Sequence, residues 1–249
     1  MHFGPSPALT HFGDNLNRGS SLSTPANARF DCPDRDKLER DPAWWEIYRE
    51  SFPANELESP SVILEAAERG AGIAFRIRCD ERTAGIATTH LLLNPAAVFL
   101  VYLAVHPERR GAGLGGALFE FAWSTSLAKL RERGLDAIGM VWEVDPPGII
   151  NDPAEAAARD RRIAFFGRHA GALLPAPYFQ PPLDGGAPVP MQLMFRAAPN
   201  RPMPDPAGTH ALIAAIYFEK YGSANGIPRE TLTALLSGNT IPRNTEQRA

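Results

Sequence analysis

The chain has 249 residues, 44% hydrophobic and 21% charged, which fits one large domain or one medium domain with tails. A net charge of −3 argues against the basic face of a nucleic-acid binder, and no apolar run reaches the roughly 18 residues of a membrane span. With only Cys32 and Cys79 there is no disulfide framework, and the start Met1-His2-Phe3-Gly4-Pro5 carries no secretory signal, so the expected compartment is the cytoplasm.

Residues 1–40 are rich in Ser, Asn, Asp, Gly and Pro without apolar periodicity, and read as a disordered leader. Order is expected from Asp41-Pro42, an N-cap followed by a first-turn proline, with Trp45, Tyr48 and Phe52 on one face. Ser59-Pro60 repeats that start signal for a helix with Val62, Ile63 and Ala67 inward. The period then changes to two. Residues 72–79 alternate, Asp80-Glu81-Arg82 turns, 83–93 reads as a partner strand, and the apolar run 97–105 reads as a central strand.

A helix over about 114–133 follows, with Leu114, Leu118, Phe121 and Ala122 beside Phe119, Trp123, Leu127 and Leu130. So wide an apolar face implies packing against a sheet. Residues 135–144 read as the next strand, and 153–169 as a helix carrying Ile163, Phe165 and Phe166. Ten of the 24 prolines lie between Pro175 and Pro206, so that stretch is expected to be extended, with one strand at 191–196. A helix after Asp205-Pro206 and a short one after Pro228 close the chain. The order predicts a mixed α/β fold.

The chemistry-bearing segment is Val105-His106-Pro107-Glu108-Arg109-Arg110-Gly111-Ala112-Gly113-Leu114-Gly115-Gly116, which leaves a strand and opens a helix. Glycines let successive N–H groups converge, and the helix start adds its dipole, so the segment suits a phosphate or diphosphate. No Lys-Ser or Lys-Thr follows, which rules out a P-loop. Gly111, Gly113 and Gly116 satisfy the dinucleotide pattern, but six residues, 106–111, separate the strand end from the second half of the turn. Asp136 also sits at the start of its strand rather than at the end.

Val105, Pro107, Arg110, Gly111, Gly113, Leu114 and Gly115 together resemble motif A of the GNAT N-acyltransferase superfamily, with strand, turn and helix in that family's order. The resemblance spans about residues 44–196. It implies a mixed central sheet with splayed parallel strands flanked by helices, here with a C-terminal helical extension over 199–249 after a 41–198 core. It further implies that amides of 110–116 (Arg110, Gly111, Ala112, Gly113, Leu114, Gly115 and Gly116) bind the diphosphate of acetyl-CoA as cosubstrate. The edge of Leu103, Ala104 and Val105 would pair with its pantetheine arm.

Such relatives let an amine attack the thioester directly, and a tyrosine commonly protonates the leaving sulfur. Here Phe166 takes that tyrosine position and Asp160 stands where many relatives carry asparagine. Tyr178 is therefore the substitute donor, and Glu143, at a strand end facing the expected gap, is the candidate base. Glu56 and Glu58 would line the acceptor pocket. No metal is expected, since the histidines show no ligand spacing. The expected activity is acetyl transfer to a primary amine of a small molecule or peptide. The alternative is an acyl-CoA-binding module with little turnover, for which Phe166 is the sequence support. The segment 175–196 and the C-terminal helices are where acceptor specificity or a homodimer contact would be built.

Overall fold

An aspartate followed by proline opens three of the described helices, at Asp41, Asp152 and Asp205. The side chain of Asp41 accepts from the Trp44 N–H at 3.0 Å and opens α2, Pro42–Ser51, as the sequence predicts. The computed structural model describes residues 27–146, 152–183 and 185–238. In chain order its elements are β1 (Arg29–Asp31), α1 (Arg35–Glu39), α2, α3 (Pro60–Glu68), β2 (Gly72–Cys79), β3 (Arg82–Leu93) and β4 (Ala96–Val105). There follow α4 (Leu114–Glu132), β5 (Gly139–Val144), α5 (Pro153–Arg168), β6 (Ala172–Leu173), β7 (Tyr178–Gln180) and β8 (Val189–Ala197). Helix α6 (Pro206–Ala215) runs directly into a π-helical turn, Ile216–Gly222, and α7 spans Arg229–Leu236.

The strands form one sheet in the order β1-β2-β3-β4-β5-β8-β6, with β7 also paired to β8. Among the described residues only β4 and β5 run parallel; the other pairs are antiparallel. Alternation of side chains assigns the two faces. On one face Phe75, Ala87, Val98, Met140 and Trp142 pack beneath Leu118, Phe119 and Ala122 of α4 and Phe166 of α5. On the other, Ala74, Ile86 and Tyr102 meet Trp44, Tyr48 and Ile63 of α2 and α3. The same face, further along, packs Phe99, Val141 and Phe195 against Leu212, Ile216, Tyr217 and Tyr221. The C-terminal helices are thus part of the sheet's cover.

Three sequence expectations change, the first being that the stretch 175–206 carries two strands, β7 and β8, rather than one. Part of the stretch assigned to a disordered leader is ordered: Arg29–Asp31 pairs with Arg76, Ile77 and Arg78 of β2. The strand is three residues long with a single apolar side chain, Phe30, packed near Phe121, so hydrophobic period misses it. Arg76 forks onto both oxygens of Asp31 at 2.8 Å and reaches Asp41 at 2.7 Å. Residues 1–26 lie outside the described residues. The strand expected over 135–144 begins only at Gly139, where β8 supplies its antiparallel partner from Ala197.

A buried ion pair staples the two halves of the second face. Lys220 of the π-helical turn contacts Glu58, in the loop before α3, and both side chains are almost fully buried. Asn225 adds a 2.9 Å hydrogen bond to the same carboxylate. Removing one partner would strand a buried charge, so Lys220→Met should cost about 3–5 kcal/mol. A denaturant-midpoint measurement checks this, and Glu58→Gln in the same chain should return much of the loss.

Candidate active site

Parallel pairing between β4 and β5 covers only Val98↔Met140, Phe99↔Val141 and Leu100↔Trp142. Beyond it β4 continues to Val105 and β5 to Val144 without pairing to each other. A β-bulge marks the divergence: Thr88 pairs with Tyr102 and Thr89 with Leu100, so Val101 is skipped. The gap between the strands opens into a cavity of about 740 Å³. Leu103, Ala104 and Val105 form one wall, Trp142, Glu143 and Val144 another, and Arg110 and Gly115 lie at the turn.

At that turn Gly111 and Gly113 adopt φ of +82° and +75°, the left-handed region that a Cβ disfavours. Gly113 is the N-cap of α4 and offers no side-chain cap. Among the described residues, the amides from Gly111 through Gly116 donate to no backbone or side-chain acceptor, whereas Ala117 already bonds back to the Gly113 carbonyl. Consecutive donors converging at a helix start form a cradle for an anion. Leu114 sends its side chain into the core, leaving only its backbone to the turn. The Arg110 guanidinium donates to the Val105 carbonyl at 3.2 Å and so lies along the cavity wall.

Glu143 stands at the other end of the gap. The Tyr178 hydroxyl donates to its Oε1 at 2.5 Å, and the Tyr221 hydroxyl reaches both oxygens, at 2.9 and 3.1 Å. Its depth below the protein surface dominates and pushes the carboxyl up to about 7. The two tyrosine hydrogen bonds oppose that rise, while the charges of Glu56 and Glu58 add to it. Glu143 nevertheless keeps a partly open side toward the cavity. Burial also raises both tyrosine hydroxyls well above the ordinary phenol range.

The sequence-predicted pair Glu143 and Tyr178 therefore come together, but in unequal positions. Tyr178 is 3% exposed, stacks on Tyr217 at 5.4 Å, and lies behind the carboxylate rather than on the cavity wall. Tyr221, which sequence reasoning missed, lines the cavity itself. So does Gln180, whose amide donates to the Tyr221 hydroxyl at 3.5 Å. Phe166 is 6% exposed and packs on Trp142 at 4.7 Å, so the usual donor position holds an inert ring. Asp160 is exposed and paired with Arg159. Glu56 and Glu58 both border the cavity. Tyr102 fixes the loop that carries them, accepting from the Glu58 N–H at 3.0 Å and donating to the Glu56 carbonyl at 2.7 Å.

The described helices include none long and apolar enough to cross a membrane. No curated protein matches the sequence. Among solved structures, a Bacteroides thetaiotaomicron protein assigned to the GNAT acetyltransferase family is similar, with 22% identity and a TM-score of 0.59 over 80% of this chain and 99% of that one. An Acinetobacter baylyi ADP1 protein assigned as an acetyltransferase has 12% identity and a TM-score of 0.50 over 72% of this chain and 97% of its own. Both likenesses concern the fold. The model of the Acetyltransferase (GNAT) family matches residues 42–150, which hold β4, the glycine turn, α4 and β5. That segment matches the GNAT acetyltransferase family model, and the fold built on it is the GNAT fold.

Proposed function

We propose that the protein transfers an acetyl group from acetyl-CoA to the primary amine of a small molecule or peptide, by direct attack while both substrates are bound. One juxtaposition carries this reading: a cleft between diverging parallel strands has unpartnered amides at one end and, at the other, a carboxylate held near 7. The amides from Gly111 through Gly116, with Arg110, would hold the diphosphate, and the unpaired edge of Leu103, Ala104 and Val105 would receive the pantetheine amides. The thioester supplies the activated acetyl group.

The chain's own groups then manage protons. The acceptor amine releases one proton to solvent to become a nucleophile. As its nitrogen bonds to the acetyl carbon, Glu143 accepts the second proton that this nitrogen loses. As the carbon–sulfur bond breaks, Tyr221 gives its hydroxyl proton to the departing sulfur and recovers one from Glu143, already hydrogen-bonded to it at 2.9 Å. Tyr221 takes the donor role in place of Tyr178 because it borders the cavity. Tyr178 holds the carboxylate in place from behind. Steady-state thiol release with acetyl-CoA and a panel of primary amines tests the reading. Turnover of at least one amine class is expected. Tight acetyl-CoA binding with no release on any amine would replace it with a binding module.

A further inference from the structure

Among the charged groups bordering the acceptor end of the cavity, Glu58 is held by the buried Lys220 and Arg162 is paired with Asp145. On the wall formed by α5, Arg161 and Glu155 are exposed and of opposite sign. That leaves Glu56. Among the described residues no ion pair or hydrogen bond engages its carboxylate, although its backbone is pinned by Tyr102. The side chain is half-buried on the cavity wall, and its charge is felt by Glu143. An unpaired acid in such a position is costly unless a cation meets it.

A second observation points to a ligand rich in N–H donors. Gln180 borders the same cavity and is only 6% exposed. Its Nε2 is engaged by Tyr221, while its Oε1 is buried without any hydrogen-bond partner. Buried carbonyl oxygens are rarely left so, and this one is an acceptor awaiting a donor. Glu143, Glu56 and Gln180 Oε1 thus give the cavity three acceptors, and Arg162, whose charge Glu56 feels, is already paired with Asp145.

We infer that the acceptor is at least a dication: one amine is acetylated beside Glu143 while a second ammonium group is held by Glu56. This rests on the acetyl-transfer reading of the cavity, yet its test reads binding separately from turnover. Affinities of cadaverine and of pentylamine, which share a five-carbon chain and differ by one ammonium group, are measured by titration calorimetry on the CoA-loaded protein. The diamine should bind at least tenfold tighter, a ratio of about 1.4 kcal/mol. Glu56→Gln should collapse that ratio to within about twofold, and Glu56→Asp, which keeps the charge, should preserve most of it. Equal affinities in the wild type, or an unchanged ratio in Glu56→Gln, overturn the inference. Thiol release without the affinity ratio defeats the dication subsite alone. The ratio without thiol release defeats acetyl transfer alone and leaves the subsite standing.

Discussion

Glu143→Gln is expected to lower kcat about 100- to 10,000-fold, the usual contribution of a positioned general base, while leaving acetyl-CoA affinity within about twofold. Glutamine keeps the shape and can still accept from Tyr178 and Tyr221, but it takes no proton. The pH profile separates this from simple damage. In the proposed role Glu143 acts as the carboxylate, and burial raises it from 4.5 to about 7, so wild-type kcat/KM should fall as pH drops through about 7. The variant should lack that limb.

Stability should move in the opposite sense. A raised folded-state value means the unfolded chain ionises first, so the folded protein loses stability as pH rises from 4.5 through about 7. Glutamine has no such loss. Thermal melts should therefore show the variant gaining on the wild type at pH 8 relative to pH 4. A variant that merely disrupted packing would lose at both.

Gly115→Val is the second large effect. The turn's two left-handed glycines, Gly111 and Gly113, are poor test sites because any Cβ there strains the backbone by about 1–2 kcal/mol. Gly115 is helical instead, and a Cβ on it would meet Val105 at 3.6 Å and Phe165 at 3.8 Å, ordinary contact distances. The variant should fold. Its added methyls project from a residue bordering the cavity and would cover amides that now have no acceptor. The dissociation constant for acetyl-CoA should rise at least tenfold, about 1.4 kcal/mol, with no loss of melting temperature. Calorimetry and a thermal melt measure both.

The turn was legible because its signal is local. Glycines between an apolar strand and a wide-faced helix constrain backbone that lies within a dozen residues, and the observed φ angles at Gly111 and Gly113 follow from that constraint. Glu143 was legible as a strand-end acid beside a strand expected to diverge. Its partners were not. Tyr221 reaches the site from far along the chain, through a π-helical turn that shifts residues out of the α-helical period by which a sequence is read. Gln180 sits in a proline-rich stretch with no period at all, and only its pairing to β8 brings it to the cavity. The Tyr178 assignment illustrates the limit well. Sequence reasoning found a tyrosine that touches the carboxylate, yet only the packing of Tyr178 against Tyr217 reveals that it stands on the far side.

The same contrast holds for Glu56 and Glu58. Two residues apart in one loop, they read alike in sequence. Lys220 and Asn225 engage Glu58, whereas Glu56 keeps a free carboxylate. Which acid is structural and which is available depends on a residue more than 150 positions away.

A crystal structure of the protein with bound acetyl-CoA tests the central claim most directly. The diphosphate should lie within hydrogen-bond distance of amides between Gly111 and Gly116, and the thioester should sit in the gap beyond the Leu100↔Trp142 pair with its acetyl end toward Glu143. A cofactor seated elsewhere, with those amides still turned to solvent, would contradict the account.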